Sequence, residues 1–199
     1  MPSMARNCIV VDLDNCIGCM GCEVACKSLN DVPLGMHYNK VQVMGPFGTF
    51  PEISQYWLPT MCQQCENPGC VEVCPTGASY RDENGVVAID QELCIGCQAC
   101  LAACPYGVRF LSEEENVVYK CTLCQDRVAE GEDPACVVNC STGVRFYGDL
   151  DDPESPAAKA LAAAAPEAIH KLNDDAGTNP LTSYILSEKI AAWVDNQGL

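Results

Sequence analysis

Apolar residues recur at helical spacing along little of this chain. They come instead in short bursts: Cys-Ile-Val-Val at 8–11, Val-Val-Ala-Ile at 86–89, and Val-Arg-Phe at 108–110 and again at 144–146. Bursts of three or four residues bounded by Gly, Asn or Asp predict short strands. Between them lie stretches long enough for a loop and one helical turn. Residues 27–61 carry Pro33, Gly35, Gly45, Pro46, Gly48, Pro51 and Pro59 and predict an extended excursion, with a strand at Lys40–Met44. After Asp149 the pattern changes. "GDLDDPESP" is a turn-rich acidic link, Ala157–Ala165 predicts an alanine-rich helix, and "LTSYILSEKIAAWV" predicts a second one. Leu181, Ile185, Ile190, Trp193 and Val194 fall partly on one face of that second helix, as packing surface or as a docking face for a partner.

The strand bursts frame an internal repeat. Sixteen of the 17 cysteines form four groups: Cys16, Cys19, Cys22 and Cys26; Cys62, Cys65, Cys70 and Cys74; Cys94, Cys97, Cys100 and Cys104; Cys121, Cys124, Cys136 and Cys140. "CPTGASY", "CPYGVRF" and "CSTGVRF" follow the last cysteine of groups two, three and four, and "CIVVDLDNCIGC" before group one resembles "GVVAIDQELCIGC" before group three. Each repeat reads as strand, cysteine loop, helical turn and returning strand, which makes an α+β chain. Cys8 is left over and reads as a small buried hydrophobe.

Seventeen cysteines in 199 residues imply disulfides or metal. The opening "MPSMARNCIVVDL" reads as lacking a secretory signal, which weakens the disulfide reading. Paired C-x-x-C knuckles serve zinc, but a tetrahedral site has no use for a third cysteine three residues on. C-x-x-C-x-x-C-x-x-x-C-P instead suits four-iron clusters, with three thiolates wrapping one cluster and the fourth reaching another. Group three, "CIGCQACLAACP", fits in every position. Group two widens the middle gap by two residues and group four widens it to eleven. Group one has Lys27, and group four Ser141, where the proline would stand. Glycines in "CIGC" and "MGC" give the loop positive φ and close approach. All sixteen positions are cysteine, so four [4Fe–4S] clusters are expected and no three-iron cluster.

A formal net charge of −16 disfavours nucleic acid as a partner, and no apolar run is long enough to span a membrane. His37 and His170 are isolated and read as surface or packing residues. With no phosphate loop and no nucleophile elbow, no catalytic residue is assigned. Single-electron storage and transfer remains, with Arg109 and Arg145 expected to influence the cluster potentials.

Through "DLDNCIGCMGCEVACKSLNDVPLG", "CENPGCVEVCPTGASY", "YKCTLCQDRVAEGEDPACVVNC", "GDLDDPESP" and "GTNPLTSY", nearly the whole chain resembles the four-cluster electron-transfer subunits of molybdopterin oxidoreductases, of the dimethyl sulfoxide reductase iron–sulfur subunit type. The resemblance implies two ferredoxin-like lobes with short antiparallel strands and short helices. One lobe comprises residues 1–60 and 106–150, with groups one and four; the other comprises 61–105, with groups two and three. A helical tail at 151–199 is expected to follow, as a candidate partner-docking segment. It also implies the ligand sets: Cys16, Cys19 and Cys22 with Cys140; Cys121, Cys124 and Cys136 with Cys26; Cys62, Cys65 and Cys70 with Cys104; Cys94, Cys97 and Cys100 with Cys74. The group-one cluster would lie nearest the catalytic partner and that of group two farthest away.

The implied role is a non-catalytic subunit relaying electrons between a molybdopterin catalytic subunit and a quinone-linked membrane subunit or soluble donor, in an anaerobic or facultative prokaryote. It would be membrane-associated through its partners and extracytoplasmic by co-export, with the cytoplasm as the alternative. The small subunit of a transhydroxylase and a free-standing polyferredoxin are the competing roles.

Overall fold

The computed structural model describes residues 5–194, and the ends of the expected first lobe (1–4) and tail (195–199) lie outside them. Strand β1 (Asn7–Asp12) leads through the first cysteine loop into helix α1 (Gly21–Leu29). A long hairpin follows, β2 (Asn39–Thr49) and β3 (Glu52–Met61). The middle of the chain is helix α2 (Gly69–Glu72), β4 (Ser79–Arg81), β5 (Val87–Ile89), α3 (Ala99–Ala102), β6 (Arg109–Ser112) and β7 (Val117–Lys120). Then come α4 (Gln125–Ala129), α5 (Ala135–Val138), β8 (Arg145–Asp149), α6 (Pro156–Ala163), β9 (Ile169–His170) and β10 (Ser183–Ile185). Short strands and short helices make this an α+β fold, and the predicted bursts at 8–11, 86–89, 108–110 and 144–146 fall on or beside β1, β5, β6 and β8.

Strand β1 is the spine. It pairs antiparallel with β8 and parallel with β10 in a four-stranded sheet ordered β8-β1-β10-β9. Ile9, Val10 and Val11 are each at most 1% exposed, which explains an unbroken apolar burst where a one-sided strand would alternate. Ile9 and Val11 belong to the main core, while Cys8 and Val10 pack with Ala157 of α6 and Leu181. Helix α6 starts where Ser155 accepts from the Ala158 N–H, with Pro156 in the first turn. In the cysteine repeats, α1 packs on α5 and α2 packs on α3.

One expectation is extended by the structure and one needs correction. The strand at Lys40–Met44 is part of a hairpin running from Asn39 to Met61, with a bulge between Met44 and Phe47. A two-stranded ribbon has two free edges, so Pro46 and Pro59 are tolerated where an inner strand would reject them, and Pro51 sits in the turn between the strands. The second tail helix is absent from the described residues. Residues 181–194 contain β10, whose Val10↔Ser183, Val11↔Tyr184 and Asp12↔Ile185 pairs extend the sheet. Leu181, Tyr184, Leu186 and Ala191 are buried, while Ile190 and Val194 are exposed, so the burial does not follow the expected face. Tertiary pairing overrides propensity here: β1 offers an open ladder, and the Leu181 and Thr182 N–H groups both donate to the Gln63 carbonyl. Beyond α6 the tail is a strap across the molecule rather than a second helix.

Candidate metal centres

Four spaces of nearly equal size lie beneath the cysteine loops, and four thiols line each. The first, about 350 Å³ of empty space, is lined by Cys16, Cys19, Cys22 and Cys140. The fourth, about 300 Å³, has Cys26, Cys121, Cys124 and Cys136. The second and third, about 330 Å³ each, have Cys62, Cys65, Cys70 and Cys104, and Cys74, Cys94, Cys97 and Cys100. Each quartet draws three thiols from one group and one from another. The donor crosses over because the last cysteine lies at the far end of a helical turn, facing the neighbouring loop.

Local backbone geometry explains the loops. Gly18 and Gly96 have φ of +64° and +66°, and Met20 and Gln98 follow at φ 60° and 61°. Groups one and three therefore use one backbone design, in which left-handed residues turn successive N–H groups to the inside. Positive φ thus falls on Met20 rather than on Gly21, whose role is close approach: a Cβ there would lie 3.3 Å from the Asn139 carbonyl. Two non-glycine residues in the left-handed region store strain of about 1–3 kcal/mol each, of the kind found at functional sites.

Thiol acidity takes two directions among several of the cysteines. Burial pushes the Cys65 and Cys121 thiols up to about 12 and the Cys70 thiol up to about 11. The same cause raises Cys16, Cys26, Cys104 and Cys124. Such thiols stay protonated near neutrality until a metal displaces the proton. Cys19, Cys74 and Cys140 instead lie below the ordinary value. For Cys19 the causes are the Gly21 N–H and the Ser141 hydroxyl. For Cys74 and Cys140 burial pushes upward, but backbone N–H groups and the hydroxyls of Thr76 and Thr142 outweigh it. The repeated segment after each last cysteine is therefore a turn that aims N–H groups at sulfur; Ser79 N donates to the Cys74 sulfur at 3.3 Å.

The cavities stand in the order first, fourth, second, third. Arg145 lines the first and donates to the Cys136 sulfur of the fourth at 3.5 Å. Met61 lines the fourth and its neighbour Cys62 lines the second. Arg109 lines both second and third. The end positions belong to the first and third cavities, whose Cys19 and Cys97 are exposed. Arg109 on β6 sets the second cavity beside the third, so group three, not group two, ends this order opposite group one.

The histidines lie elsewhere. His37 Nδ1 is 2.8 Å from Glu23, and His170 stacks on Trp193 with centroids 4.8 Å apart. Cys8 is fully buried in β1, its thiol pushed up to about 12 by burial. A larger open groove is bounded by Asp126, Asp133, Asp149 and Glu154 and contains no cysteine. Sequence reasoning missed Lys120, buried between the fourth and second cavities; the signal was alternation in β7, where Val118 and Lys120 share the buried face. It also missed Trp57, whose ring lies against Gly18, and the Tyr106–Thr178 hydroxyl pair, which hydrogen-bonds toward Cys65.

These residues fit iron–sulfur clusters. Among the described residues no three His, Cys, Asp or Glu side chains converge closely enough to hold a single metal ion, yet four thiols stand around each cavity. Arg145 Nε and Nη1 and Arg109 Nη1 are buried without hydrogen-bond partners, beside cavities that cluster sulfides would fill with acceptors.

Family comparison agrees with this chemistry. A 4Fe-4S dicluster domain matches residues 53–150, and a 4Fe-4S binding domain matches residues 13–38. The thiosulfate reductase electron transfer subunit of Salmonella typhi is 49% identical over 72% of this protein and 76% of its own length. A sulfite dehydrogenase subunit of Allochromatium vinosum is 37% identical over 98% of this protein and 89% of its own length. The arsenate respiratory reductase iron-sulfur subunit of a Shewanella species is 33% identical over 90% and 95%.

Proposed function

Because this protein is a member of the family of iron–sulfur subunits of molybdopterin oxidoreductases, we propose that it is an electron relay holding one [4Fe–4S] cluster in each of its four cavities. The observation that carries the proposal is the set of four similar spaces, each walled by four thiols from two cysteine groups. Bound clusters supply reversible one-electron chemistry. Everything else falls to the protein. Cys16, Cys19, Cys22 and Cys140 hold the first cluster; Cys26, Cys121, Cys124 and Cys136 the fourth; Cys62, Cys65, Cys70 and Cys104 the second; Cys74, Cys94, Cys97 and Cys100 the third.

Backbone N–H groups at Gly21, Ser79, Val108 and Val144 face ligand sulfurs and favour the more negative, reduced state. Apolar walls at Ile9, Val11, Val41, Val87 and Val118 exclude water. Electrons enter or leave at Cys19 and Cys97, the exposed ends of the row. The packing of α1 on α5 and of α2 on α3 supports a lobe of groups one and four (residues 1–60 and 106–150) and a lobe of groups two and three (residues 61–105).

One end would meet a molybdopterin catalytic subunit and the other a quinone-linked membrane subunit or a soluble carrier. Among the described residues no helix is long and apolar enough to cross a membrane, so membrane attachment would come through a partner. Anaerobic co-purification with iron and sulfide analysis tests the proposal. It expects about 16 iron and as many sulfides per protein, together with a catalytic partner. About four zinc and no sulfide would overturn the cluster assignment. A stable, partner-free protein with all its iron would instead indicate a polyferredoxin.

A further inference from the structure

Three charged side chains are buried among the described residues, and all are cations: Arg109, Lys120 and Arg145 at 6%, 3% and 3% exposure. That runs against a composition of 27 acidic and 11 basic residues. A buried cation is strongly unfavourable unless an anion sits beside it. None of the three pairs with a carboxylate among the described residues. Their partners are sulfurs, a hydroxyl and carbonyls. Arg109 Nη2 donates to the Cys70 sulfur at 2.9 Å and to Ser79 Oγ at 3.0 Å. Arg145 Nη2 donates to the Met61 sulfur at 2.9 Å and the Cys136 sulfur at 3.5 Å. Lys120 Nζ donates to the Val87 and Cys121 carbonyls.

Their placement is regular. Arg145 lies between the first and fourth cavities, Lys120 between the fourth and second, and Arg109 between the second and third. Lys120 Nζ bonds the carbonyl of Cys121, which lines the fourth cavity, and that of Val87, which lines the second, so its charge lies against both. The repeat explains the two arginines. Ser79, Arg109 and Arg145 each stand five residues after the last cysteine of their group, where the returning strand begins. Ser79 and Arg109 meet in the gap between the second and third cavities, where the guanidinium donates to the Ser79 hydroxyl.

Resting on the cluster assignment above, we propose that Arg145, Lys120 and Arg109 are counter-ions interleaved with the four clusters, each setting the potentials of the two clusters that flank it. An oxidised four-thiolate cluster carries a net charge of about −2, and each added electron makes it more negative. In a buried row, weak screening makes one reduced cluster oppose reduction of the next. A cation in every gap offsets that repulsion, so neighbouring clusters can be reduced together and the row conducts without a high step. The protein places its buried positive charge in those gaps and its negative charge outside.

The test uses the full-length protein purified anaerobically with its clusters, confirmed first by iron and sulfide content; a wild type lacking them fails the cluster assignment itself and not this inference. Midpoint potentials are read by EPR-monitored redox titration, with signals assigned by single-cysteine variants of each quartet. Lys120→Met is expected to lower the potentials of the fourth and second clusters by about 59 mV or more, tenfold in the one-electron equilibrium, with the first and third moving far less. Arg145→Met is expected to do the same to the first and fourth. Lys120→Arg and Arg145→Lys keep the charge and should stay near wild type. If a Met variant loses its flanking clusters while the charge-keeping variant retains them, the counter-ion role also stands. Unchanged potentials in a fully loaded Met variant, a uniform shift of all four clusters, or cluster loss in both kinds of variant would overturn it.

Discussion

The sulfur of Cys19 and the hydroxyl of Ser141 lie 3.8 Å apart, although 122 residues separate them. Ser141 is the residue that stands where groups two and three have proline, so the departure puts a hydroxyl beside an exposed thiol. Ser141→Ala should leave all four clusters assembled and lower the potential of the first. Exposure of Cys19 limits the effect to a shift smaller than the about 59 mV of a tenfold change. A cluster-bound thiolate has no proton to give, so Ser141 donates in the loaded protein; redox titration of the variant checks it, and a rise in potential would contradict that role.

Cys26 lines the fourth cavity and not that of its own loop. Cys26→Ser is therefore expected to damage the cluster held by Cys121, Cys124 and Cys136 while that of Cys16, Cys19 and Cys22 persists. Iron analysis should show a loss of up to about four atoms, and EPR should lose the fourth cluster's signal. Loss of the first cluster alone would refute the crossed ligand set.

Glycine tolerance should differ sharply between loops. A Cβ at Gly18 would sit 2.3 Å from Trp57 Nε1 at φ +64°, whereas Gly77, at φ +70°, meets nothing within 4 Å. Gly77→Ala should cost about 1–2 kcal/mol from backbone strain alone. Gly18→Ala adds a ring displacement of about 1–3 kcal/mol and should impair assembly of the first cluster. Thermal unfolding and iron content of the two variants make the comparison.

The tail should prove structural. Leu181 and Thr182 donate to the Gln63 carbonyl, while Asn179 and Thr178 accept from Glu66 and Asn67, beside Cys65. A truncation ending at Gly177 loses those bonds together with β10, and it should fail to retain the second cluster. Retention of all the iron with loss of partner binding would instead make residues 178–199 a docking segment.

Cys8 should be inert. With its thiol near 12 and no exposed surface, it carries almost no thiolate at pH 8. Iodoacetamide should leave it unlabelled in the native, cluster-loaded protein and label it after denaturation.

The cysteine spacing, the repeated segments after each last cysteine and the short apolar bursts were legible because local chemistry controls them. A three-residue step puts neighbouring thiols on one loop, and glycine at Gly18 and Gly96 marks the left-handed turns. The tail was not legible. "LTSYILSEKIAAWV" has acceptable helical periodicity, and only the open ladder of β1 makes it a strap. Nor was Lys120 legible as part of the site, since a lysine beside a cysteine looks like an ordinary surface charge.

The sequence by itself determined four sets of four thiols, the metal chemistry they suit and the strand-loop-turn-strand unit that carries them, because each of these is set within one continuous short stretch of chain. Tertiary structure alone decided the row: which cavities adjoin, that Cys19 and Cys97 stand at its ends, and that Arg145, Lys120 and Arg109 fall in its gaps. Those relations join residues tens of positions apart, and only the packing of α1 on α5, of α2 on α3 and of the tail across both brings them together.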